Sequence, residues 1–169
     1  MKPKTVGKVF VMKVIEVNPN VCTACKYCEN ICSYRFSQEC NPYRARINIV
    51  KFENLGLGIP IICEQCEDAF CMSACPVSGA LYRDPDTGAI RVREELCIGC
   101  KSCVEACPFG TVKIDPVTRK AIKCDLCEGD PTCVKYCVTG ALRYVEVSRA
   151  YSGKRLEKAK DLATSLASR

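Results

Sequence analysis

The chain has 169 residues, enough for one domain or two small ones, with 17 cysteines, no tryptophan and a formal charge of +6. Histidine is absent, which excludes His-ligated haem, Rieske centres, His-containing zinc sites and every serine–histidine or cysteine–histidine catalytic arrangement. No apolar run approaches the roughly 18 residues needed to span a bilayer, and Val9–Val17 is interrupted by Lys13 and Glu16 with no small-residue cleavage site after it, so neither a membrane span nor a signal peptide is expected.

In chain order, Lys8–Val17 is β-rich and apolar on both faces, which predicts a buried strand. A first cysteine group follows: Cys22, Cys25, Cys28 and Cys32. Cys40 stands outside every group, in the turn-like Ser37-Gln38-Glu39-Cys40-Asn41-Pro42, and reads as a buried or half-buried free thiol, with a redox or substitute-ligand role as the alternative. Arg46–Phe52 is a second strand candidate, and Arg44, Arg46 and Lys51 read as ordinary solvated charges, with partner docking as the alternative. Gly56-Leu57-Gly58 is too short for a nucleotide loop, and no G-x-x-x-x-G-K occurs.

The second group is Cys63, Cys66, Cys71 and Cys75, followed by Pro76-Val77-Ser78-Gly79-Ala80-Leu81 and the start of a strand. Asp84-Pro85-Asp86-Thr87-Gly88 predicts a turn into a return strand, Ala89–Arg93. The third group, Cys97, Cys100, Cys103 and Cys107, repeats the pattern: Pro108-Phe109-Gly110-Thr111-Val112, a turn at Asp115-Pro116-Val117-Thr118, then Lys120–Lys123. The fourth group, Cys124, Cys127, Cys133 and Cys137, leads through Val138-Thr139-Gly140 into Ala141–Val147, a neighbour for the first strand. Three residues between third and fourth cysteines, such as Val104-Glu105-Ala106, fit one helical turn. After a break at Tyr151-Ser152-Gly153, Lys154–Ser168 has helical composition, with Leu156, Ala159, Leu162, Ala163 and Leu166 on one face. That helix either packs on its own domain or docks a partner subunit.

Four groups of four thiolates at these spacings are a ligand set for four 4Fe–4S cubes. Zinc is the rival metal, but a tetrahedral zinc site takes two separated C-x-x-C pairs. Three cysteines within seven residues instead wrap the chain around a larger object. A radical SAM motif would need a cysteine where Arg35 stands. In a reducing cytosol, cysteine at this density means metal rather than disulfides. Each oxidised cube with its thiolates carries about −2, so the basic excess offsets cofactor charge and argues against nucleic acid as a partner. Seven tyrosines and five phenylalanines are a thin apolar supply, so the apo chain is expected to be largely unfolded.

The run Cys97-Ile98-Gly99-Cys100-Lys101-Ser102-Cys103-Val104-Glu105-Ala106-Cys107-Pro108 matches the bacterial ferredoxin pattern C-x-x-C-x-x-C-x-x-x-C-P at every defined position. The order of the groups, with longer spacings in the second and fourth, resembles the four-cluster, polyferredoxin electron-transfer subunits of molybdenum and tungsten oxidoreductases over about residues 14–148. The resemblance implies an α+β fold of two nested ferredoxin-like modules. The outer one would span 1–62 and 108–150, the inner one 63–107, and 151–169 would be a helical tail. It also implies that paired groups exchange their last cysteines. Cys22, Cys25 and Cys28 would then share a cube with Cys137, and Cys124, Cys127 and Cys133 one with Cys32. Cys63, Cys66 and Cys71 would go with Cys107, and Cys97, Cys100 and Cys103 with Cys75. Pro76 and Pro108 follow the last cysteine of groups two and three, whereas Ser33 and Val138 follow it in groups one and four, in keeping with that pairing.

The function implied is that of a non-catalytic, cytoplasmic subunit. It would relay single electrons between a tungsten- or molybdenum-pterin catalytic subunit and an external acceptor such as ferredoxin. The small subunit of a tungsten-containing aldehyde oxidoreductase is the family member it resembles most. A formate dehydrogenase or hydrogenase complex, a free polyferredoxin and, more remotely, a structural zinc-binding protein are the alternatives.

Overall fold

The computed structural model describes residues 12–146, and among these every strand belongs to a two-stranded antiparallel ribbon. β1 (Lys13–Val17) pairs with β8 (Leu142–Glu146), setting Ile15 opposite Tyr144 and Val17 opposite Leu142. The strand expected at Lys8–Val17 is thus present from Lys13 onward, beside the neighbour expected for it; its first residues, and the helix expected at 154–168, lie outside the described residues.

β2 (Ile47–Phe52) pairs with β3 (Leu57–Ile62) across a short helical turn at Glu53–Leu55 that Gly56 closes in the left-handed conformation. β3 has no strand signature in the sequence, because Gly58 and Pro60 both weaken one. A two-stranded ribbon is all edge, so Pro60 can sit in it without breaking a ladder on a second side. Gly58 has a steric reason: a Cβ there would lie 2.4 Å from the Cβ of Ala24, in the loop between Cys22 and Cys25.

The hairpins β4–β5 (Leu81–Arg83, Ile90–Val92) and β6–β7 (Lys113–Ile114, Ala121–Ile122) turn where the Asp-Pro motifs lie. In each, the aspartate carboxylate accepts backbone N–H groups of its own turn: Asp84 from Asp86 at 2.9 Å, Asp115 from Val117 at 2.7 Å and Thr118 at 3.0 Å. Gly88 and Arg119 take the left-handed position that ends each turn.

Three helices are single turns, α2 (Phe70–Ser73), α3 (Ser102–Glu105) and α4 (Thr132–Lys135), each between the third and fourth cysteine of a group or overlapping the third. The first group departs from this expectation: α1 (Tyr27–Ser37) runs for 11 residues and carries Cys28 and Cys32. After Cys75 and Cys107 a proline disfavours helix at the cysteine, whereas Ser33 allows α1 to continue. The Ser33 hydroxyl donates to the Asn30 carbonyl and accepts from the Asn41 N–H, pinning the following loop to the helix.

α1 packs on α4 and α2 on α3. Two cores result. One joins Ile15, Ile47, Ile62, Leu126 and Leu142 around Cys32, Cys63, Cys124 and Cys133. The other joins Leu81, Ile90, Val112 and Ala121 around Cys71 and Cys103, with β6–β7 belonging to it.

Three readings of the sequence are corrected. Arg44 and Arg46 are not solvated: Arg44 Nε bonds Asp115 at 2.9 Å, and Arg46 bonds Asp125 at 2.8 Å while lying over the Phe36 ring. Short-range sequence gives no sign of either carboxylate, since both come from distant hairpin or loop segments. Cys40 is exposed rather than buried, because α1 ends in a left-handed cap at Gln38 and the chain swings outward before Pro42.

Candidate iron–sulfur centres

The cysteine-bearing loops share a backbone peculiarity that spacing alone does not reveal. Ala24 and Lys26 in the first group, Gln65 in the second, Gly99 and Lys101 in the third, and Leu126, Cys127 and Glu128 in the fourth all have positive φ, between 49° and 70°. Side chains rarely adopt this region. Alternation into it turns successive N–H groups towards one point and forms a concavity suited to an anion. Two sulfurs also accept N–H groups from other segments: the Arg46 N–H reaches Cys32 Sγ at 3.3 Å and the Ala121 N–H, at the start of β7, reaches Cys97 Sγ at 3.3 Å. Basic side chains of the hairpins clamp the loops from behind, Arg83 donating to the Cys66 carbonyl at 2.7 Å and Lys120 to the carbonyl of Cys97.

Three hollows open between these loops. Cys63, Cys66, Cys71 and Cys107 line one. Cys75, Cys97, Cys100 and Cys103 line another. Cys32, Cys124, Cys127 and Cys133 line a third. In each, three thiols come from one group and the fourth from another. Cys22 and Cys25 lie close enough to Cys28 to act on its thiol, and Tyr27 at the start of α1 meets Tyr136, just past α4, edge-on at 6.2 Å, each ring next in sequence to a cysteine, Cys28 and Cys137.

The donor sets suit a cage better than a single ion. A tetrahedral zinc ion would draw its four sulfurs to about 2.3 Å from one point. Here the thiols surround a space instead, and among the described residues no three Cys, Asp or Glu converge tightly enough for one ion. The walls are apolar, formed by residues such as Leu81, Val92 and Ile114 in one hollow and Ile90 and Val112 in another.

Burial raises seven of these thiols. It pushes Cys28 up to about 12 and Cys103 to about 11, with neighbouring carboxylate or thiol charge adding to the rise. Cys32, Cys66, Cys71, Cys124 and Cys133 are raised chiefly by the same desolvation. Three thiols go the other way. Cys100 is lowered by the Ser102 hydroxyl, 3.5 Å away. At Cys107 burial is outweighed by the Thr111 hydroxyl at 3.4 Å and by backbone N–H groups, and at Cys137 by the N–H of Leu142 and the Thr139 hydroxyl. Thr111, Thr139, Ser102, Gln65 and Lys123 are site residues that the cysteine pattern did not single out. A hydroxyl two or four residues after a cysteine is the one signal of this kind visible in sequence.

Comparison with known proteins bears on these sulfur-lined spaces directly. The 4Fe-4S dicluster domain matches residues 56–147, and a 4Fe-4S binding domain matches residues 19–35. The chain belongs to the 4Fe-4S dicluster family. It is a ferredoxin-type iron–sulfur protein with 4Fe–4S clusters as its cofactors. The electron transport protein HydN of Escherichia coli (strain K12) is 36% identical over 118 residues, covering 66% of this chain and 63% of that protein. The polyferredoxin-like subunit of the aliphatic sulfonate oxidoreductase of Pyrococcus furiosus is 37% identical over 111 residues, with the same two coverages. The chain thus spans somewhat under two thirds of the length of these relatives. Among solved structures, a chain of the active site complex BamBC of benzoyl coenzyme A reductase aligns over 95% of this chain and 99% of its own, at 23% identity and a TM-score of 0.49. No helix among the described residues is long and apolar enough to cross a membrane.

Proposed function

We propose that the sixteen grouped cysteines hold four 4Fe–4S clusters and that the chain relays single electrons between a catalytic oxidoreductase subunit and an external acceptor such as ferredoxin. The observation that carries this reading is the set of hollows lined by four cysteines each, every one completed by a thiol from another group. Cys22, Cys25, Cys28 and Cys137 form the fourth set by the same exchange, supported by the contact between α1 and α4. Groups two and three build an inner module (63–107). Groups one and four build an outer one (1–62 and 108–150), whose β6–β7 hairpin packs on the inner core.

Bound clusters supply reversible one-electron redox chemistry. The protein supplies their spacing and surroundings. The thiols of neighbouring sets act on one another in a fixed succession: Cys103 with Cys71, Cys124 with Cys63, and Cys133 with Cys28. This orders the sets in a line from Cys75/Cys97/Cys100/Cys103, through the Cys63 and Cys124 sets, to the Cys22 set. Six of the eight thiols in the two central sets are buried. At the ends Cys100 and Cys25 are exposed, flanked by Ile98 (66% exposed) and Val138 (92% exposed), the places where redox partners would dock.

The partner favoured is a tungsten- or molybdenum-pterin enzyme, with aldehyde oxidation leading, and a cytoplasmic setting. The resemblance noted above supports it, as does similarity to a polyferredoxin-like subunit of another oxidoreductase. Purification of the native complex without a tag tests this. About sixteen iron and sixteen sulfide per chain, with a tungsten- or molybdenum-bearing subunit co-eluting, is the expected result. Zinc in place of iron would end the cluster reading; elution of the chain alone would end the subunit reading.

A further inference from the structure

Lys123 is the largest side chain in the fold to be almost wholly enclosed, at 2% exposed. It follows β7 and immediately precedes Cys124, so its backbone belongs to one cysteine set while its side chain lines the hollow of Cys63, Cys66, Cys71 and Cys107. Its ammonium faces three oxygens: the Ile90 carbonyl at 2.8 Å, the Cys124 carbonyl at 3.3 Å and Gln65 Oε1 at 3.5 Å. Three acceptors match the three N–H bonds of a protonated amine. All three are neutral, so they solvate the charge without cancelling it.

Gln65 completes the link. It lies between Cys63 and Cys66, is fully buried, and holds its left-handed backbone at φ 51°. Its Nε2 donates to the Cys124 carbonyl at 2.8 Å, and its Oε1 accepts the Ile90 N–H at 2.9 Å as well as the lysine. Loops of the second and fourth groups are thereby joined through two side chains whose every polar atom is used. Burying a cation is costly, and an apolar side chain of equal length would fill the same space at no such cost. The charge therefore calls for a role beyond packing.

Electrostatics identifies one. The lysine lines the hollow of Cys63, Cys66, Cys71 and Cys107 while its ammonium reaches the Cys124 carbonyl at 3.3 Å, so one buried cation borders two cysteine sets. Adding an electron to a cluster adds negative charge in a poorly screened interior, and a fixed cation close by favours that state. We infer that Lys123 is a tuning charge shared by the two central clusters, raising the reduction potential of both together and so keeping electron passage between the inner and outer modules near level. This rests on the cluster assignment proposed above.

The test is a redox titration of the purified holoprotein, followed by electron paramagnetic resonance, on wild type and three variants whose iron and sulfide contents are measured first. In Lys123→Met, two of the cluster signals should become harder to reduce by about tenfold in the one-electron equilibrium, about 59 mV, with the other two unmoved. Lys123→Arg should keep both within about threefold of wild type, because the charge is retained. Gln65→Leu removes the bridging hydrogen bonds but leaves the cation, and should not reproduce the tenfold shift. Fully loaded Lys123→Met with wild-type potentials overturns the inference, as does a Gln65→Leu shift equal to that of Lys123→Met. Should Lys123→Met take up less iron, Lys123→Gln, which keeps a donor without charge, is judged by the same two outcomes. Absence of iron and sulfide from the wild type would instead refute the cluster assignment itself.

Discussion

At the scale of single residues, the loops around sulfur depend on backbone that few residues tolerate. Gly99 has φ 70°, and a Cβ there would lie 2.4 Å from the Arg119 carbonyl oxygen. Gly99→Ala is expected to cost about 1–3 kcal/mol from the strained conformation alone, seen as bleaching of the visible absorbance at a lower temperature. Gly110, also at positive φ but with open space around it, is the control: Gly110→Ala should cost about 1–2 kcal/mol and no more. At Cys107, Thr111→Val removes the hydroxyl 3.4 Å from sulfur. It is expected to make the cluster held by Cys63, Cys66 and Cys71 harder to reduce, by up to about tenfold in equilibrium constant. Replacing Cys107 itself with alanine should disturb that same cluster; a disturbance traced to the cluster of Cys97, Cys100 and Cys103 would refute the crossed scheme. The cysteines were legible because their spacing is local information. Lys123, Gln65, Arg44 and Arg46 were not, since each acquires its meaning from a partner many residues away.

The elements divide along the same line. Both Asp-Pro hairpins could be read in advance, because an aspartate that accepts its own turn N–H groups needs no distant neighbour. β3 could not, since Gly58 answers to Ala24 across a loop; nor could the length of α1, because a missing proline after Cys32 permits a longer helix without requiring one, as the single turn before Val138 shows. The hairpin aspartates also make a pH prediction. Asp84 is held below the ordinary carboxylate range of about 3.8 by the Asp86 N–H and by Arg91. For Asp115 burial works in the opposite direction, but the Thr118 N–H and Arg44 outweigh it. A carboxylate depressed in the folded state stabilises fully above its unfolded value, and that stabilisation is lost as pH falls through the folded one. Thermal bleaching measured from pH 5 down to 3 should therefore fall more steeply for wild type than for an Asp84→Asn, Asp115→Asn double variant. Equal slopes would show that these turns do not feel the acid.

At the scale of the whole molecule, thiols occupy the centre of both apolar cores. Removing the clusters leaves raised, protonated thiols around empty space and little else to hold four separate ribbons together. Chelation of iron is expected to abolish most of the circular dichroism signal; a native-like spectrum after complete removal would contradict this. Ion pairs reach across the fold and join its parts: Arg91 binds both Asp84 and Glu128 at 3.0 Å, Arg44 binds Asp115, and Arg46 binds Asp125. Charge bookkeeping from composition could anticipate a surplus of cations but not their assignment to such struts.

The pairing of β1 with β8 carries a temporal consequence. Lys13 emerges from the ribosome more than a hundred residues before its partner Glu146, an interval of about 7–27 s at ordinary rates of synthesis. The earliest thiols to be made, Cys22, Cys25 and Cys28, then wait longest for the strand beside them to close. Maturation should run from the middle of the polypeptide outwards, leaving the first-translated cysteines most open to premature oxidation.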